Sequence, residues 1–209
     1  MAEEQETGRV EAFSDGVFAI AVTLLVLELR APLPADLRAG ETLWDALRHE
    51  WPSYLAFATS FATILIVWVN HHYLFRLIRR TDHVLLLLNG LLLFVVTLIP
   101  FPTDVVAEYL RAPGARTAAV FYAGTFLAVA FAFNGVWQYA RHDGRLLSRD
   151  ADPRTIRTIN QQFRMGPLTY LVAVAVAALN GLAGLALVTA LAVYWALPAH
   201  LRPGPGRGA

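Results

Sequence analysis

Three observations predict an all-α integral membrane protein with six transmembrane helices per subunit: a composition too apolar for water, charge-poor stretches of bilayer length, and arginines gathered in alternate connections. The chain has 209 residues, 56% of them hydrophobic and only 16% charged, with a mean hydropathy of +0.48. Water-soluble domains carry roughly 25% charged residues, so this chain belongs in lipid. That excludes a soluble enzyme, an extended disordered protein and a nucleic-acid binder, and a net charge of +1 removes the electrostatic footprint that DNA or RNA requires. All seventeen basic residues are arginine, which rules out lysine chemistry. The absence of cysteine rules out disulfides, thiolate nucleophiles and cysteine-ligated metals.

The elements follow in chain order. Residues 1–9 are polar and acidic and lack the basic start and small-residue cleavage site of a signal peptide. The first apolar segment is therefore expected to stay in the mature protein. A membrane domain is expected over residues 10–201. Its first span, residues 10–29, would be about 30 Å long as a helix, the thickness of a bilayer core. Glu11, Ser14 and Asp15 in its first half mark it as more than a lipid-facing anchor. The second span covers residues 52–74, with Pro52 in the first turn where its missing N–H costs nothing. The third covers residues 84–101 and is expected to end at the pair Pro100 and Pro102; the fourth covers residues 118–140.

Residues 168–197 contain no charge, and a single helix of that length would measure about 45 Å, too long for a bilayer core. The turn signal Asn180-Gly181, followed by Gly184, splits the stretch into a hairpin with spans over 165–180 and 182–201. The Arg-, Asp- and Gln-rich segment before Pro167 is expected to form a short interfacial helix. The Pro/Gly tail, residues 202–209, is expected to be disordered.

Arginine placement tests the count independently, because cytoplasmic connections carry the basic excess. With six spans and the amino terminus inside, twelve arginines fall inside and five outside, the outer ones being Arg30, Arg38, Arg48, Arg111 and Arg116. Both termini are therefore expected in the cytoplasm, and the protein in the cell membrane (inner or plasma) as a multi-pass protein.

Charged groups inside a span cost roughly 2.5–3.5 kcal/mol each unless paired. Arg9, Ser14 and Asp15 therefore need partners, which Trp68, Asn70, His71 and His72 of the second span and Asp82, His83 and Asn89 of the third could supply. The histidines admit a metal site or a proton relay on one hand and a hydrogen-bonded set that pins helices on the other. The second is favoured, because neither HExxH spacing nor a carboxylate ladder accompanies them. No GxSxG nucleophile elbow occurs. Gly16, Ile20, Thr23 and Leu27 repeat at i, i+4, i+7 and i+11 on one helix face. On periodicity alone that face packs against neighbouring helices, and its small and hydroxyl residues suit a close interface.

The stretch RVEAFSDGVFAIAVTLLVLEL, with WVNHHYLF in the second span, resembles the endosomal and lysosomal transmembrane potassium channel family, specifically its prokaryotic single-repeat members. The RxxxFSD signature, Arg9 through Asp15, carries the likeness. What it implies is a homotetramer of six-helix subunits with four copies of the first helix lining the pore. It also implies a structural polar network of Arg9, Phe13, Ser14, Asp15, Trp68, Asn70 and His71. The pore residues it implies are a hydrophobic constriction at Ile20, Thr23 one turn further on and Leu27 beyond, in place of a carbonyl-lined filter. The function it implies is a passive cation channel, potassium-favouring, with no cofactor and no resident metal, permeated by K+ and other monovalent cations and surrounded by membrane lipid. The alternative is a secondary transporter or proton-coupled carrier, which calls for ionisable groups near the midplane and an internal repeat that this chain lacks. An intramembrane enzyme using His71 and Asp15 is the weakest reading.

Overall fold

A computed structural model describes residues 2–196 apart from residues 38, 145 and 149. The chain runs through α1 (Ala2–Leu24), α2 (Leu43–His49), α3 (Trp51–Leu77), α4 (His83–Thr97), α5 (Pro100–Tyr109), α6 (Ala115–Arg141), α7 (Pro153–Leu179) and α8 (Gly181–Ala196). A 3-10 turn, Leu25–Glu28, extends α1. Five segments are long and apolar enough to cross a membrane: Thr7–Glu28, Trp51–Leu77, His83–Tyr109, Ala115–Gly144 and Pro153–Leu179. α8 is apolar but has only sixteen described residues. The tail expected to be disordered, and the end of the expected sixth span, lie outside the described residues.

α6 is the central post, packed against α4, α5, α7 and α8, and its Tyr122, Phe126 and Trp137 sit fully buried in the core with Leu85 and Leu92 of α4. A buried hydroxyl cluster joins α3, α5 and α6, with Ser60 Oγ 2.7 Å from Thr103 Oγ1 and 2.9 Å from Tyr122 Oη. α1 stands at the edge, against α3 and α4.

Three elements differ from expectation. Pro100 and Pro102 do not end the third span but open α5, after a turn at residues 98–99. A first helical turn has no use for the N–H groups that proline lacks, so the pair starts a helix as readily as it stops one. The segment before Pro167 is not a separate interfacial helix. It is the first half of α7, started by Asp152, whose carboxylate accepts from Arg154 N and Thr155 N. The helix continues through Pro167, with aromatic packing on both sides of it: Phe163 against Phe133 and Trp137, Tyr170 against Phe126. Finally, the polar residues 2–9 are already the first turns of α1.

The α7–α8 turn falls at the Asn180-Gly181 signal. Asn180 N closes α7 on Val176 O, and its side-chain Oδ1 accepts from Ala183 N at 3.0 Å to start α8. The two helices then approach so closely that a Cβ at Gly184 would fall 2.4 Å from that of Ala177. At Gly181 a Cβ would fall 2.7 Å from the carbonyl oxygen of Ala115. Only glycine permits either contact.

Candidate functional site

α1 has two unlike faces. Ser14, Phe18, Ala21 and Leu25 are buried against α3 and α4. A half-turn away, Phe13, Gly16, Ile20, Thr23 and Leu27 are left bare by their own subunit, with Ile20 58% and Leu27 70% exposed. For the expectation from periodicity that this face packs against neighbouring helices, the subunit itself supplies no partner, because the face it buries is the opposite one. Thr23 Oγ1 donates back to Ala19 O and Ile20 O, both at 3.0 Å. With its proton engaged by the backbone, the hydroxyl presents oxygen lone pairs outward, which is the ligand chemistry a cation wants. Beyond Leu24 the helix tightens into the 3-10 turn, and Arg30 holds this end to α5 by pairing with Asp104 at 3.3 Å and Glu108 at 3.0 Å.

The polar residues behind this face divide into three groups. In the first, wholly buried, Ser14 Oγ donates to Val10 O at 2.8 Å, Asn89 Nδ2 donates to Ser14 Oγ at 3.0 Å, and His71 Nε2 donates to Asn89 Oδ1 at 2.9 Å. The His71 ring lies between Phe18, edge-on at 5.3 Å, and Phe75, stacked at 4.3 Å. The second group lies nearer the subunit surface: Trp68 Nε1 donates to Asp15 Oδ1 at 2.8 Å, and the Trp68 ring stacks on His72, whose Nδ1 is 2.7 Å from Glu11 Oε1. The third comprises residues that the subunit does not join to either. Arg9 is exposed and without a partner among the described residues, and Phe13 shares its open face. Asn70 points instead into a crevice toward α6 and α7, beside Asn134 and Gln162.

Asn89 is the member that sequence reasoning ranked too low. Its signal was present, an amide alone in the run LLLLNGLLLF, and a lone polar group at membrane depth requires a partner. The Arg30 tie to α5 left no such signal, because its partners lie more than seventy residues away. Among the described residues no group of three or more His, Asp or Glu side chains is placed to hold a metal.

Against known proteins, residues 9–100 match the family described as endosomal/lysosomal potassium channel TMEM175. A potassium channel of Chamaesiphon minutus is 52% identical over 93% of this chain and 96% of its own length. A crystal structure of a lysosomal potassium-selective channel TMEM175 homolog from the same organism superposes with a TM-score of 0.84 at 49% identity, covering 92% of this chain and 97% of that one. The human endosomal/lysosomal proton channel TMEM175 is 36% identical over 63% of this chain but only 27% of its own length.

Proposed function

The chain belongs to the TMEM175 family of ion channels, and from that membership we propose that four copies form a passive, potassium-favouring cation channel with α1 lining the pore. It is an integral membrane protein of a channel family and not an enzyme. The observation that carries the proposal is the split of α1 into a buried face and a bare face bearing Gly16, Ile20, Thr23 and Leu27. In a bilayer an uncovered apolar face meets either lipid or another subunit; the small Gly16 and the hydroxyl of Thr23 on this face, with the family membership, favour the second, and four-fold symmetry about it turns the face into a pore lining. Each subunit then crosses the bilayer six times, α8 being the sixth span, with both termini in the cytoplasm.

Mechanistically, four Ile20 side chains make a ring that offers a bare cation no oxygen ligand, so ions pass only when the ring widens or wets. Four Thr23 hydroxyls, their protons held by the backbone, replace part of the hydration shell one turn further on. Leu27 lies toward the wider outer mouth and contributes least. Ser14, Asp15, Trp68 and His71, with Asn89 between, hold α1 at the angle that presents this face, and Arg9 and Phe13 are left for contacts with the neighbouring subunit.

The test is reconstitution in planar bilayers with mixed potassium and sodium. Ile20→Asn supplies four amide oxygens and is expected to raise unitary conductance several-fold. Thr23→Ala is expected to lower discrimination between the two ions and leave the tetramer intact. Unchanged currents and reversal potentials in both variants would make the face an ordinary packing surface.

A further inference from the structure

α2 is a small amphipathic helix whose Leu43 and Trp44 nothing in the subunit covers. Leu43, Trp44, Ala46 and Leu47 share one side and Asp45, Arg48 and His49 the other. No residue of α2 is buried, and Leu43 and Trp44 are 55% and 61% exposed. Local bonds shape the helix and one arginine holds its end. Thr42 and Asp45 form a reciprocal capping box, His49 Nδ1 lies 3.0 Å from Glu41 Oε1, and Arg111 donates to the His49 carbonyl. Ala46 and Leu47 are half-buried, whereas Leu43, Trp44 and Arg48 are exposed, so these three face away from the protein.

The level of α2 along the bundle is also set, because α3 begins two residues after it ends. Around that level Trp51 and Tyr54 of α3 and Tyr109 of α5 are exposed. A band of exposed tryptophan and tyrosine at the ends of membrane spans is what the headgroup zone of a bilayer selects. The cations fit the same zone. Arg48 lies 5.1 Å over the Trp44 ring, exposed and without a carboxylate partner among the described residues, and Arg111 lies 6.0 Å over Trp51.

We propose that α2 is a lipid-contact element, lying in the headgroup region with Leu43 and Trp44 turned into the acyl boundary and Arg48 meeting lipid phosphates. Partners of a second copy would have to match a bare cation beside an aromatic ring; lipid phosphate over acyl chains matches both at once. The proposal needs only that the chain spans a bilayer, so it stands apart from the assignment of the conduction path.

The chain contains no cysteine, so a single introduced cysteine reports alone. Leu43→Cys, Trp44→Cys and, as a control in the loop, Ala39→Cys would each be spin-labelled, checked for elution as wild type, and reconstituted into phosphatidylethanolamine–phosphatidylglycerol vesicles. Collision with oxygen and with an aqueous nickel chelate is then compared. Labels at 43 and 44 are expected to be open to oxygen and shielded from nickel, and the label at 39 the reverse. Nickel access at 43 and 44 equal to that at 39 would make α2 a water-exposed loop. Shielding from both reagents would mean that protein, such as a second copy, covers it. Either result overturns the proposal.

Discussion

Asn89 and Asp15 hold α1 in different ways, and their substitution should fail differently. Asn89 is buried and serves both Ser14 and His71. Asn89→Leu keeps the volume but leaves the buried His71 Nε2 without a partner, at a cost of about 1–3 kcal/mol, and leaves Ser14 only its bond to Val10 O. Its expected result is a lowered apparent melting temperature of the subunit itself in detergent. Asp15 accepts from Trp68, whose ring is partly exposed at the rim of the subunit. Asp15→Ala should therefore weaken assembly before it weakens the subunit, read as loss of the proposed tetramer on size-exclusion chromatography at a nearly unchanged melting temperature. If the two variants behaved alike in both assays, the buried and rim groups would form one network and not two.

Two helices lend themselves to the same treatment. The α7–α8 hairpin depends on Gly184, where a Cβ would meet the Cβ, Cα and N of Ala177, all within 3.0 Å. Because part of that obstacle is backbone, no rotamer change relieves it, and Gly184→Ala is expected to cost about 1–3 kcal/mol, as overpacking does. Thermal unfolding would register it, and a neutral outcome would mean that α8 is not seated against α7. α2 depends on a carboxylate. The Thr42 hydroxyl and backbone N–H bonded to Asp45 hold its carboxyl below the usual carboxylate range. A depressed folded-state value means that the cap is fully present above the ordinary Asp range and lost as pH falls through the depressed one. Motion of a spin label at residue 43 should therefore increase only at acid pH, and Asp45→Asn should remove that dependence. A mobility independent of pH in the unsubstituted helix would show that the capping box does not hold α2.

For the molecule as a whole, the connections sort to two ends. The α3–α4 and α6–α7 connections are stitched together, Arg79 N donating to Leu146 O at 2.9 Å and Ser148 N to Leu77 O at 2.8 Å. At the other end Arg30 meets α5, Arg111 meets His49, and the α7–α8 turn rests on the start of α6. In the proposed topology the first end, which carries the arginine excess, is the cytoplasmic one. A membrane-impermeant maleimide applied to intact cells should then label Ala39→Cys, and should label Asp150→Cys only after permeabilisation. The reverse pattern would invert the proposed topology.

Length without charge, the breaker at Asn180-Gly181 and the period of α1 were all legible before any coordinates, because hydropathy, turn chemistry and helical period are local properties carried within a few turns of chain. The types of residue that needed partners were legible for the same reason: a polar group in a span announces its own cost. Which of them meet was not. Asn89 bridges Ser14 and His71 while Arg9 and Asn70 stand apart, and that depends on the rotation and height of α1, α3 and α4 against one another. Those are fixed by the packing of the whole core around α6. The bare side of α1, the proline pair that opens a helix and the helix that passes through Pro167 belong to the same class, since each is settled by what neighbouring helices cover or support, to which a one-dimensional pattern is blind.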